Sequence, residues 1–435
     1  MLPGSSRRTG TTPATRTPVI SLLGKAIPAA AIVLLSVSAC AGGEDNGRTA
    51  ASSPPSSAQS SSVPAPDSNR PPAPAAGERG DIVEQMPFQA SSDLSDVAEV
   101  TRVVYRSTAG YQGGFGTEVS GVIAVPNGEP PAGGWPIVAF GHGTTGTDES
   151  CGPSDYPDLL GEDGAITRLV RRGYVVAASD YQGLGTWVED APGHPYLEPK
   201  TIAYNMIDAV RAARNLVPDT SNRWAAMGAS QGGQAAWASA DHADDYGQDL
   251  EFVGAAALAP AADLSPITDA GTQMTYTDAQ KIFIPNLIAG LREVYPDFDA
   301  GDYIRGGLAD NADVFTSCGP TFLVDRFSAA MSVAPGDAAV ADQEAVERIR
   351  TILKQDALPA GRAAGPLFVA FGDQDSIILP AWTAAAVQRA CAGGDVIEVV
   401  RKPDGGHTNL GVTGPAIDWI GDRFAGEPAP DTCPA

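Results

Sequence analysis

Trp224-Ala-Ala-Met-Gly-Ala-Ser-Gln-Gly-Gly233 decides how this chain folds. It begins as a short apolar strand, turns at a serine flanked by glycines, and continues through Ala235, Ala236 and Trp237 as a helix. Gly228-Ala229-Ser230-Gln231-Gly232 fits Gly-x-Ser-x-Gly, a strained strand-to-helix corner whose glycines remove side chains that would clash. A chain with 49 glycines matches so short a pattern about half the time by chance. Ser230 would then be only the N-cap of a glycine-rich helix, so the decision falls to the rest of the chain.

Upstream of the corner, Val100 to Arg106 and Glu118 to Val125 read as an antiparallel pair, and Pro136 to Phe140 as a strand buried on both faces. Strands and helices then alternate: helix 164–172, strand 174–179, helix 199–217, strand 225–228, helix 231–244 and strand 252–258. This alternation predicts right-handed crossovers and a mostly parallel sheet, an α/β fold flanked by helices. It breaks at residues 264–356, where helical stretches 277–294, 322–331 and 343–354 are joined by Gly/Pro/Asp-rich loops. It resumes with strand 367–371, helix 380–392, strand 396–400 and helix 415–424. A helical insertion between two strands of one sheet predicts a cap.

The first 80 residues differ in kind. Arg7, Arg8, Arg16 and Lys25 lead into an apolar run, Ala26 to Ala39, too short to span a bilayer comfortably. The run ends Leu35-Ser-Val-Ser-Ala39-Cys40, which resembles a lipobox with Cys40 as the lipidated residue; the alternative is a plain secretory signal cut near Ala39 or Ala41. Residues 1–39 are therefore expected to be a signal peptide. Residues 40–80, rich in Ala, Ser and Pro, are expected to form a disordered tether spanning roughly 30–40 Å, and residues 81–435 the catalytic domain. Loss of the four basic residues takes the formal charge from −24 to about −28, which excludes nucleic acid and anionic headgroups as partners bound through charge. Besides Cys40, Cys151, Cys318, Cys391 and Cys433 make an even set, which in an oxidising compartment predicts two disulfides with three possible pairings. No Cys/His cluster suggests a metal, and no cofactor is expected.

A serine becomes a useful nucleophile when a base takes its proton and a third group orients that base. In such a sheet the partners follow later strands in the order Ser, acid, His. Strand 367–371 runs out into Gly372-Asp-Gln-Asp375, and the next strand into Lys402-Pro-Asp-Gly-Gly-His407. Of the four histidines, only His407 lies between the last strand and the last helix. Asp375 is the candidate acid. Asp373 is the expected turn carboxylate, and Asp404 is a weaker candidate on the histidine's own loop. The oxyanion of acyl transfer needs backbone N–H donors, expected from Gln231 and from Thr144 in Gly141-His-Gly-Thr-Thr-Gly146, with His142 shaping that loop. Gly143, Thr145 and Tyr181 are the candidate substrate contacts. Asp180 is expected to brace a turn, and His194-Pro195-Tyr196 to reach the rim.

Together, Gly141–Gly146, Ser179–Gly185, His194–Tyr196, Gly228–Gly233, Gly372–Asp375 and Gly406-His407 resemble the secretory lipases, the fungal lipase-A-like branch of the α/β-hydrolases, and especially their actinobacterial lipoprotein relatives. The resemblance implies an α/β-hydrolase fold, a helical cap over the site, and an esterase or lipase with a triad of Ser230, Asp375 and His407. It also implies the disulfides Cys151–Cys318 and Cys391–Cys433. The same triad would serve an amide hydrolase or an acyltransferase, and a catalytically silent surface binding protein is a third possibility. No oligomeric state follows from the residues.

Overall fold

The computed structural model describes residues 77–318 and 322–433, the side chains of Phe322 and Leu323 excepted. The expected signal segment, Cys40 and nearly all of the tether lie outside the described residues.

A nine-stranded sheet organises the chain: β1 Ile82–Pro87, β2 Ala98–Ala109, β3 Phe115–Pro126, β4 Trp135–Gly141, β5 Val175–Ser179, β6 Thr220–Ala229, β7 Glu251–Leu258, β8 Leu367–Gly372 and β9 Ile397–Lys402. The spatial order is β1-β2-β3-β5-β4-β6-β7-β8-β9. β1, β2 and β3 pair antiparallel and β3 joins β5 antiparallel; from β5 through β9 every pairing is parallel. The expected β2–β3 pair is present in continuous register from Ala98↔Pro126 to Ala109↔Phe115. β1 was not expected: its Val-Glu-Gln run is exposed, so no apolar alternation betrays it.

Both faces of the central strands are buried, and period 2 sorts their side chains between two cores. Ile137, Ala139, Trp224 and Ala226 face one cluster, while Val138, Phe140, Ala225 and Met227 face the other. Helices of nine residues or more, among the described residues, are α1 Asp163–Arg171, α2 Pro199–Leu216, α3 Gln231–Tyr246, α4 Ile284–Val294, α5 Phe322–Ala330, α6 Gln343–Gln355, α7 Pro380–Ala392 and α8 Thr413–Phe424. α2, α3 and α7 supply the first cluster, through residues such as Met206, Trp237 and Val387. α1 and α8 supply the second, through Ile166, Leu169, Ile417 and Trp419. The result is a three-layer α/β sandwich.

Between β7 and β8 the described residues form helices and loops, with no strand. Leu287, Leu291, Leu308, Phe315, Val346 and Ile349 form a third core cluster, which the insertion shares with Tyr196, Leu197 and Ile378. The helix expected over 277–294 is two pieces, Asp278–Lys281 and α4, because Pro285 lacks an N–H and sits at the start of α4, where that loss costs nothing. Both disulfides are present, Cys151–Cys318 and Cys391–Cys433. No described helix is long and apolar enough to cross a membrane.

The chain runs from β4 to β5 on one side, then crosses back to β6 on the other. A parallel sheet whose strand order reverses opens a crevice beyond the carboxyl ends of the two strands at the reversal. Those ends are Gly141 on β4 and Ala229 on β6.

Candidate active site

Ser230 joins β6 to α3 with φ 59° and ψ −117°, a conformation few non-glycine residues adopt. Its neighbours hold it there: the Ser230 N–H donates to Leu258 O at 2.8 Å, and Ser230 O accepts from Gln234 N at 3.0 Å and Ala261 N at 3.2 Å. The two glycines are required by contact. A Cβ on Gly228 would lie 2.4 Å from Gly232 O, and one on Gly232 would lie 2.0 Å from Gly141 O. The corner is packed backbone to backbone against the end of β4.

Asp375 follows β8 and His407 follows β9, so neighbouring strand ends deliver both to the same crevice. His407 Nε2 is 2.9 Å from Ser230 Oγ, and His407 Nδ1 is 2.8 Å from Asp375 Oδ2. Because the carboxylate can only accept, Nδ1 carries the proton and Nε2 presents a lone pair to the serine hydroxyl. The other carboxylate oxygen accepts from Ile377 N at 2.8 Å and Ile378 N at 3.0 Å, which fixes the Asp375 rotamer. Asp375 is buried and His407 partly so, leaving the serine end open. Asp373 instead ion-pairs with Arg401 at 2.5 Å, and Asp404 is exposed.

As the first residue of α3, Gln231 has an N–H with no helical carbonyl one turn back. Thr144 stands across the crevice, its Oγ1 2.6 Å from Tyr196 Oη. Three expected substrate contacts are engaged elsewhere. The Gly143 N–H donates to Glu162 Oε1 at 3.0 Å. Thr145 is buried, its hydroxyl donating to Cys151 O at 2.8 Å. Tyr181 is wholly buried beneath the loop, stacked on His142 at 4.3 Å, and its hydroxyl donates to His142 O at 3.1 Å. None of the three lines the pocket at Ser230. Glu162 was not foreseen, because its contact with Gly143 links α1 to a loop nineteen residues earlier. Burial pushes its carboxyl above the usual range. Asp180 ties the start of its turn to two other segments, accepting from Ser154 N at 2.9 Å and Ser120 Oγ at 2.6 Å, and burial raises it to about 6.

Ser230 opens onto an apolar pocket. Leu264, Ile267, Phe283, Ile284 and Leu287 form one wall from the insertion, and Ile377, Ile378 and Trp382 form another from the segment after Asp375. Such a cleft suits an extended apolar chain. No group of three or more His, Cys, Asp or Glu side chains among the described residues could hold a metal ion.

A family model described as secretory lipase matches residues 160–432. Lipase A of Arthroderma benhamiae is 24% identical over 405 residues, covering 82% of this chain and 78% of that protein. In fold, the chain is similar to Candida antarctica lipase A in its closed state, with a TM-score of 0.64, 18% identity, and coverage of 82% of this chain and 86% of that one. It is also similar to the rice cell wall degrading esterase LipA from Xanthomonas oryzae, with a TM-score of 0.59, 20% identity, and coverage of 81% and 97%.

Proposed function

Because the chain belongs to the secretory lipase family, and so is a hydrolase of the lipase/esterase class, we propose that it cleaves carboxylic esters through Ser230, His407 and Asp375. The observation that carries this is the unbroken hydrogen-bond chain Asp375–His407–Ser230 at the mouth of an apolar pocket. Ser230 Oγ attacks the ester carbonyl while His407 Nε2 takes its proton, and Asp375 stabilises the imidazolium. The N–H groups of Gln231 and Thr144 receive the oxyanion. Collapse breaks the bond to the alcohol, which leaves with the proton from Nε2. Water, deprotonated by the same nitrogen, then attacks the acyl-enzyme and releases the acid.

Ser230→Ala is expected to lower kcat on a short acyl ester by about six orders of magnitude, as in other serine triads. More than a few per cent residual activity would sink the assignment. A rate profile across ester chain lengths, below and above substrate solubility, separates the two kinds of enzyme: a jump at the solubility limit means lipase, and saturation below it means esterase.

The proposal extends to the cell. Residues 1–39 export the chain, Cys40 carries a lipid anchor, residues 40–80 are the tether, and the catalytic domain (81–435) carries a cap at 264–356. The sequence around Cys40 supports this. Radiolabelled palmitate should enter the wild-type protein and not a Cys40→Ser variant; equal labelling of both refutes the anchor.

A further inference from the structure

We propose that His194 and Tyr196 are positioning residues that hold the two oxyanion donors in register, one on each side of the crevice. The inference rests on the assignment of Ser230, Gln231 and Thr144 above.

His194 Nδ1 lies 2.8 Å from Gln182 O, and its Nε2 lies 2.8 Å from Gln231 Nε2. A carbonyl only accepts, so the proton is on Nδ1, and Nε2 must accept from the Gln231 amide. All three side chains are buried, at 2% exposure or less. Burial pushes the imidazole down to about 3, so near neutral pH it is uncharged and able to accept. Two residues on, Tyr196 Oη meets Thr144 Oγ1 at 2.6 Å. One tripeptide therefore grips the residue after the nucleophile with one side chain, and the loop beyond β4 with another.

The tripeptide is itself anchored. Tyr196 N donates to His194 O at 2.8 Å and Glu198 N to Pro195 O at 2.9 Å, closing the turn on itself. Glu198 then caps α2, accepting from Thr201 N at 2.8 Å. Gln234, one helical turn beyond Gln231, donates to Leu197 O at 3.1 Å, so two glutamines on α3 tie its first turn to this segment. From above, Gly290 of α4 packs so closely that a Cβ there would lie 2.6 Å from Tyr196 N. A buried His–Gln pair is an expensive way to fill a core, since each polar atom needs a partner. Holding an N–H donor rigid before charge develops is the return, because preorganised donors stabilise the transition state without reorganising.

The test compares Tyr196→Phe, which keeps the ring and loses the hydroxyl, with His194→Leu and His194→Gln. A glutamine oxygen can stand where Nε2 stands and accept from Gln231. Tyr196→Phe and His194→Leu should each lower kcat on a short acyl ester by about ten- to a hundredfold, the scale of a 1 Å misplacement. KM should stay within twofold, and affinity for a boronic acid that mimics the tetrahedral intermediate should fall in step with kcat. His194→Gln should recover most of the loss. Combining Tyr196→Phe with Thr144→Val should cost no more than the worse single change, a readout that stands even where His194→Leu does not fold. Wild-type kcat in Tyr196→Phe, a loss confined to KM, or additivity in the double variant overturns the proposal. Ser230→Ala separates the two levels: if it is inactive while Tyr196→Phe is normal, only the clamp falls, and if it is active, the triad falls too.

Discussion

Gly232→Ala adds one methyl group at the tightest point of the site. The new Cβ would sit 2.0 Å from Gly141 O, 2.5 Å from Gly141 C and 2.9 Å from His142 O, where ordinary contact begins near 3.4 Å. All three atoms are backbone, so no side chain can swing aside. The φ of Gly232 is not among the positive ones, so alanine meets no conformational objection and the whole cost is contact. The end of β4 and the start of α3 must part by more than about 1 Å, and a shift of that size at reacting groups costs about a hundredfold in rate. Thr144 rides on the displaced loop and Gln231 on the displaced helix, so the loss belongs in kcat. Overpacking of this kind also costs about 1–3 kcal/mol, a fall of several degrees in Tm. The assay is kcat and KM on a soluble short acyl ester, with a thermal melt of the same sample. Gly164→Ala is the control: a Cβ there meets nothing within 4 Å, and both kcat and Tm should hold. A Gly232→Ala enzyme with kcat within twofold of wild type would refute the contact between β4 and the serine corner as described.

Other expectations follow from the same contacts. Thr277 Oγ1 donates to Ser376 O at 2.6 Å and Gln280 Nε2 to Ile377 O at 2.8 Å, so the insertion steadies the segment whose N–H groups hold Asp375; Gln280→Leu should lower kcat several-fold, and an unchanged rate would show that the acid needs no such support. Leu287→Trp fills the pocket wall and should cut turnover of octanoyl esters at least about tenfold while sparing acetyl esters; a parallel loss would mean the acyl chain lies elsewhere. Cys391–Cys433 closes 42 residues, worth about 4 kcal/mol in the chain-entropy model, so a Cys391→Ser/Cys433→Ser variant should show a markedly lower urea midpoint with kcat intact. Burial, with the like charge of Asp395, pushes Asp241 up to about 7, so the folded chain holds a proton that the unfolded chain, near 3.9, has already lost. Its contribution to stability therefore falls as pH rises from about 4 to 7, and Asp241→Asn, which keeps an acceptor for the Ala360 N–H, should flatten the loss between pH 4.5 and 7.5 in urea titrations.

What the sequence discloses is whatever the chain writes in consecutive residues. The apolar strands, their glycine-rich exits and the order of Ser230, Asp375 and His407 are all local patterns, and the sheet that gathers them follows from alternation alone. The exposed edge strand β1 leaves no such pattern. Contacts between loops leave none either. Glu162 taking the Gly143 N–H, or Tyr196 meeting Thr144 from 52 residues away, depends on where α1 and the turn before α2 come to rest. Thr145 and Tyr181 show the converse. They sit in motifs beside the chemistry, yet neighbouring backbone claims their polar atoms, and proximity in sequence becomes support from beneath.

The Cys151–Cys318 bond has a mechanical consequence. The insertion leaves the sheet after Leu258 and returns at Leu367, so the chain itself ties it to the sheet at two ends. The disulfide pins its middle to the segment that follows the Gly141–Gly146 loop, giving it three feet instead of two. A body on three feet cannot pivot about one axis without breaking a foot. The apolar wall that the insertion gives the pocket at Ser230 lies in the span before Cys318, so that stretch is tied covalently at both ends, to β7 and to the disulfide.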